Sequence, residues 1–185
     1  MYRSFEHVMV YEDKNLQEKA RSVMPVQQLQ EGASKKLLEL SKHTKVTCSI
    51  QDLLLLELLA WFKTSFFSWV DCPKCEFCGG DTRRAGMATP DSAELMWGGA
   101  RVENYQCNSC SRYTRFPRYN HPGKLLETRR GRCGEWANCF TLCCRALAFE
   151  ARYVLDWTDH VWSEVYSSKL STYILALYAK LQSCV

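Results

Sequence analysis

The stretch Gly131-Arg132-Cys133-Gly134-Glu135-Trp136-Ala137-Asn138 decides how this chain is read. Cys133 stands between two glycines and just ahead of Trp136 to Leu147, where apolar residues recur at Trp136, Phe140, Cys143, Cys144 and Leu147. That spacing predicts a helix. A thiol at a helix N-terminus meets unpaired backbone N–H groups and the positive end of the macrodipole, and both favour the thiolate. The glycines permit a close approach and leave room for a carbonyl beside the sulfur. Downstream, Asp159-His160-Val161-Trp162-Ser163-Glu164-Val165 alternates like a strand. His160, Trp162, Glu164 and Tyr166 fall on one face, and Val161, Ser163 and Val165 on the other. A helix-start cysteine followed by a strand histidine is a pairing in which imidazole activates a thiol and later protonates the leaving group. Cys133 is therefore the candidate nucleophile and His160 the candidate base. Cys139, Cys143 and Cys144 lie inside the helix and read as core.

The composition bounds the alternatives. A chain of 185 residues suits one domain with a small appended subdomain, and 46% hydrophobic residues suffice for a core. The formal net charge of +4 is too mild to argue for nucleic acid or a membrane surface. The longest apolar run, Leu53 to Leu59, contains Glu57 and is far too short to span a bilayer. No basic start followed by an apolar run suggests a signal peptide. Without secretion, the 11 cysteines read as metal ligands, buried small hydrophobes or a nucleophile rather than disulfides.

Working outward from the N-terminal side, Asp13 to Met24 carries a helical pattern. Pro25 then opens a second helix over Val26 to Lys42, with Leu29, Ala33, Leu37, Leu38 and Leu40 as its apolar stripe. Ser49 with Asp52 three residues on forms a capping-box pattern ahead of a mostly buried helix, Leu53 to Phe62.

Cys72-Pro73-Lys74-Cys75-Glu76-Phe77-Cys78-Gly79-Gly80 is followed much later by Cys107-Asn108-Ser109-Cys110. Two Cys-x-x-Cys knuckles supply the four thiolates that a tetrahedral structural zinc needs. The first knuckle allows two registers. Cys75 and Cys78 are preferred, because Gly79-Gly80 provides the turn in which backbone N–H groups can point at sulfur; Cys72 is then spare. Neither knuckle has the basic, aromatic-interleaved surface of a nucleic-acid ribbon. Thr82 to Glu103 is polar and glycine-containing and reads as a loop between the knuckles, with Trp97 expected to pack under the metal site. Arg115 to Asn120 reads as an irregular link, and His121 as a surface histidine.

Three segments together carry a resemblance: Arg132-Cys133-Gly134-Glu135-Trp136-Ala137-Asn138-Cys139-Phe140, Phe149-Glu150-Ala151-Arg152-Tyr153-Val154 and Asp159-His160-Val161-Trp162. With Phe116-Pro117-Arg118-Tyr119-Asn120 and the paired knuckles upstream, they resemble the cytoplasmic peptide:N-glycanase family of the transglutaminase-like superfamily. The similarity runs from about Tyr11 to Tyr166. It implies an α+β fold with a transglutaminase-like, papain-like cysteine hydrolase core of helix, strand and strand. N-terminal helices and a small zinc-binding subdomain complete that fold, and the pattern Cys-x-x-Cys-Gly-Gly supports Cys75 and Cys78 as ligands with Cys107 and Cys110. It also implies an amidase of the cytoplasm that removes N-glycans from denatured glycoproteins in endoplasmic-reticulum-associated degradation. Glu164 matches a position implicated in holding the sugar, and Trp162 lies beside it on the same face. Ubiquitin-receptor shuttle proteins of the proteasome are implied partners of the outer helices. Acyl transfer to an amine, another chemistry of such cores, is disfavoured by the glycanase-like motifs.

The resemblance also implies a third active-site member, an aspartate well beyond the histidine that orients the imidazole. No Asp or Glu follows Glu164 in this sequence. From about Ser168 the residues stop resembling the family. Leu170, Tyr173, Ile174, Leu177, Tyr178 and Leu181 recur at helical spacing, which predicts an amphipathic helix. The alternative reading is therefore a weak or inactive chain that binds denatured glycoprotein or a shuttle partner. The expected division is 1–70 helical, 71–115 zinc-binding, 116–167 catalytic core and 168–185 a divergent helix, which would leave His160 to Tyr166 as a sheet edge.

Overall fold

A computed structural model of the chain describes residues 8–43, 49–157 and 160–175. A 3-10 turn, Val10–Glu12, precedes helices α1 (Lys14–Val23), α2 (Val26–His43) and α3 (Ile50–Trp61), the last running into a π-turn over Phe62–Phe66. Then come β1 (Ser68–Trp69), β2 (Thr82–Ala88), α4 (Ser92–Met96), β3 (Val102–Cys107) and β4 (Tyr113–Pro117). The chain continues through α5 (Pro122–Thr128), β5 (Arg130–Gly131), α6 (Cys133–Ala146), β6 (Ala151–Leu155), β7 (Val161–Ser167) and β8 (Thr172–Leu175). It divides into two compact units, one of Met1–Phe67 with Ala137–Val185 and the other of Ser68–Trp136, so the boundary falls inside α6.

The first unit holds α1 to α3, most of α6 and the antiparallel sheet β6-β7-β8. Asp13 caps α1 by accepting the Leu16 N–H, and the expected capping box of Ser49 and Asp52 starts α3. Those caps satisfy N–H groups that a helix start otherwise leaves open. Leu53, Leu55, Leu58 and Phe62 are buried, as are Phe140, Leu142, Cys143 and Cys144 of α6. The rings of Phe62 and Phe140 meet edge to face with centroids 5.1 Å apart. Full burial of each such side chain stabilises by roughly 1.5–3 kcal/mol. The helix ends in a Schellman turn: the Phe149 N–H bonds to the Cys144 carbonyl and the Ala148 N–H to that of Arg145. Ala148 adopts φ +62°, a position that usually takes glycine.

In the second unit, β2-β3-β4 form an antiparallel sheet and β1 pairs in parallel with β5. Pro122 occupies the first turn of α5, and His121 caps it, its Nδ1 accepting the Gly123 N–H at 3.1 Å.

Four expectations are corrected. Residues 82–103 are not a loop: β2, α4 and the start of β3 lie there. Polar β2 needs only one neighbour, β3, and Asp91 with Glu94 forms a capping box for α4. Part of the 115–120 link is strand, because Tyr113–Pro117 pairs along β3. The helix expected over 168–185 is absent where that stretch is described: 168–171 are turn and Thr172–Leu175 is a strand. β-branched and aromatic residues there pair with the open side of β7, Tyr173 opposite Tyr166 and Ile174 opposite Val165, and sheet pairing overrides a weak helical periodicity. Hence β7 is central, with β6 and β8 on either side, and not an edge. Residues 176–185, the rest of the expected helix, lie outside the described residues. The strand pair β1 and β5 ties Ser68 to the loop that precedes Cys133.

Candidate active site and cysteine cluster

Cys133 is the first residue of α6 and is half-buried. Its neighbours are held from several directions, all within the second unit. The Glu135 carboxylate, one turn in, accepts the backbone N–H of Arg132 at 2.9 Å, half of a capping box. The Trp136 N–H donates to the Arg132 carbonyl at 2.8 Å and closes the first helical turn. Arg118 pairs with Glu135 through Nε and, at 2.7 Å, through Nη2. The Arg132 guanidinium donates to both oxygens of Glu103 and to the carbonyls of Val70 and Asp71. Gly131 is obligatory: a Cβ there would lie 2.3 Å from that of Glu135. Beside Gly134, by contrast, a Cβ would meet nothing within 4 Å.

His160 belongs to the first unit. It precedes β7, is exposed, and its ring lies 5.6 Å from that of Trp162. Its carbonyl accepts the Asp156 N–H at 2.9 Å, closing the β6–β7 turn. Asp159 lies outside the described residues. The expected alternation of β7 holds: Val161, Ser163, Val165 and Ser167 are buried, whereas Trp162, Glu164 and Tyr166 are not. Ser163 anchors the strand through Thr141 and the Ala137 carbonyl, each at 2.9 Å. Glu164 accepts the Trp162 indole N–H at 2.9 Å and pairs with Arg152 on β6 at 2.6 Å. Burial alone would push its carboxyl up, but those two donors hold it below the usual carboxylate range. Asn138 of the opening stretch is buried and accepts the Tyr11 hydroxyl at 2.7 Å, a structural contact.

Cys75, Cys78, Cys107 and Cys110 come together with all four sulfurs within 4.8 Å of one another. Three of the separations are 3.5–3.6 Å. A tetrahedron with metal–sulfur bonds of about 2.3 Å has edges of about 3.8 Å, so the cluster fits a metal ion. The N–H groups of Ser109 and Cys110 point at the Cys107 sulfur at 3.3 and 3.4 Å. The Cys110 amide, more than the burial that opposes it, holds the Cys107 thiol down to about 6. Gly80 permits the approach, since a Cβ there would lie 3.3 Å from the Cys78 sulfur and 3.4 Å from that of Cys107. Cys72 is exposed and outside the cluster. Trp97 meets His121 edge to face, with centroids 5.0 Å apart.

Residues 86–174 match the family described as Transglutaminase-like superfamily. The chain is 58% identical over 166 residues to a peptide-N(4)-(N-acetyl-beta-glucosaminyl)asparagine amidase of Macaca fascicularis and equally to one of Mus musculus, alignments that cover 89% of this chain. An Oryza sativa protein of the same name is 52% identical over 164 residues, 87% of this chain. The chain spans about a quarter of the length of the two mammalian relatives and 36% of the rice one.

Sequence reasoning missed three residues that hold candidate site residues in place. Arg152 fixes Glu164, and Glu103 with Arg118 fixes the loop that carries Cys133. Arg152 and Arg118 were visible inside the quoted motifs, but nothing in the spacing announced their partners. No helix among the described residues is long and apolar enough to cross a membrane.

Proposed function

We propose that this chain is a peptide:N-glycanase-type amidase acting on N-glycosylated asparagine in denatured glycoproteins. The observation that carries the reading is its 52–58% identity, over almost nine-tenths of its length, to proteins that bear that name. The Cys133 thiolate attacks the carbonyl carbon of the asparagine side-chain amide, and a carbon–sulfur bond forms. His160 takes the thiol proton and returns it to the amide nitrogen as the carbon–nitrogen bond breaks, so the glycan leaves as a glycosylamine. Water then attacks the thioester, the carbon–sulfur bond breaks and aspartate is released. A tight loop around Cys133 supports this role. The Trp162–Glu164 face is the proposed sugar contact, because it is accessible and its carboxylate is held ionised by Arg152.

The metal of the four-cysteine cluster is proposed to be a structural zinc, which holds the two knuckles together and takes no part in bond making. A cytoplasmic setting, endoplasmic-reticulum-associated degradation and proteasome-shuttle partners extend the same proposal. A second reading, a chain that binds denatured glycoprotein without turning it over, is favoured by one observation: residues 165–185 hold no carboxylate. Incubation with a denatured N-glycoprotein tests the choice. Glycan release that is lost in Cys133→Ala supports the amidase; binding with no release by the parent chain supports the second reading.

A further inference from the structure

Glu103 lies on β3, its side chain fully buried, with an unusual concentration of positive charge around it. Arg132 donates to both of its oxygens, Nη1 to Oε1 at 3.0 Å and Nη2 to Oε2 at 2.8 Å. Arg118 donates to Oε1 at 3.0 Å, and the Tyr105 hydroxyl to Oε2 at 2.7 Å. A third guanidinium, that of Arg101, stands 3.5 Å away. A buried carboxylate with this many donors is costly to assemble and gives specificity of geometry more than net stability.

The network closes on itself around the candidate nucleophile. Glu103 holds the Arg132 side chain, Glu135 holds the Arg132 backbone N–H, Arg118 holds Glu135, and Arg118 returns to Glu103. Arg132 immediately precedes Cys133, and Glu135 lies two residues beyond it. By strand alternation, Glu103, Tyr105 and Cys107 share one face of β3. The strand that carries Glu103 is thus fixed at its far end by a cysteine of the metal cluster, about 13 Å along at strand rise.

We propose that Glu103 is a positioning residue for Cys133, acting through Arg132 to hold the sulfur at the first turn of α6. The proposal rests on the reading of Cys133 as the nucleophile. Small displacements of a reacting group cost large factors in rate, so a loop fixed by four charged side chains has a catalytic consequence.

Glu103→Gln tests this, because it keeps the shape and removes the charge. Two quantities are read: the rate at which iodoacetamide alkylates Cys133 at fixed pH, and kcat and KM on a glycopeptide. In the variant, Cys133 should be alkylated at least about fivefold more slowly, and kcat should fall about tenfold with KM within about twofold. The same peptide in the unfolded chain should react equally in both proteins, and bound metal should be unchanged. A merely structural role would lower stability and leave both rates alone. Alkylation and kcat within about twofold of the parent, in a variant that retains its metal, overturn the proposal. If Glu103→Gln does not fold, Arg132→Lys, which keeps the charge but loses the two-pronged fork, is read by the same criteria. Alkylation needs no substrate. If the parent releases no glycan yet Cys133 still slows in the variant, the positioning role stands and the amidase reading falls.

Discussion

Arg132 and Glu103 form a two-pronged ion pair in which the carboxylate is wholly buried and the guanidinium reaches the loop that carries Cys133. Removing one partner strands the other charge. Glu103→Ala is therefore expected to destabilise the protein by about 3–5 kcal/mol, far more than loss of a surface pair. Urea unfolding of parent and variant measures the difference; a loss under about 1 kcal/mol would show that the pair is not buried as described.

The same pair sets a pH dependence. Arg132 above all holds the Glu103 carboxyl down to about 2, below the roughly 4.3 it would have in an unfolded chain. As pH falls, the unfolded state binds this proton first. Glu103's stabilisation is thus fully present above about pH 4.3 and is lost as pH falls toward 2. The stability gap between parent and Glu103→Gln should narrow over that window and stay constant above it, as read from urea midpoints.

The four-cysteine cluster should carry about one equivalent of metal, by elemental analysis of the purified protein. Cys78→Ser should lose the metal and lower the melting temperature. Cys72→Ser should do neither, since Cys72 is exposed and outside the cluster. Equal damage from both substitutions would mean that the other knuckle register is the one used.

Ala148 closes α6 in a left-handed conformation that costs a non-glycine residue about 1 kcal/mol. Ala148→Gly should recover up to about 0.6 kcal/mol, after roughly 0.4–1 kcal/mol for the extra entropy of glycine in the unfolded chain is subtracted. A lower unfolding midpoint in the variant would contradict the Schellman geometry of this end.

Much of this fold was legible where a strong local signal coincided with burial. The Ser49–Asp52 box, Pro25 as a helix start, the alternation of β7 and the Cys75–Cys78 register all lie in short-range pattern. What stayed hidden depended on distant partners. Strand β2 is polar and mostly exposed, so only its pairing with β3 identifies it. Thr172–Leu175 carries a helical spacing that the free side of β7 overrides. Glu103 sits in a segment that reads as surface loop, and two arginines from elsewhere in the chain, Arg118 and Arg132, make it a buried centre. Helix spacing placed Cys133 correctly, but not the ring of charges that braces its loop.

The amidase reading of Cys133 is tested most directly by a glycopeptide incubated with excess protein in heavy-oxygen water and read by mass spectrometry. The account predicts that the glycosylated asparagine becomes aspartate carrying one heavy oxygen, that the glycan leaves whole, and that Cys133→Ala does neither. Because residues 165–185 hold no carboxylate, conversion by this segment should be at least about 10²-fold slower than in a chain with a family-like stretch at those positions; loss of an orienting carboxylate costs about 10⁴ in serine hydrolases, and a thiol depends less on its base. Conversion that survives in Cys133→Ala, or aspartate formed without heavy oxygen, would contradict the assignment of Cys133 as the nucleophile of a hydrolytic amidase.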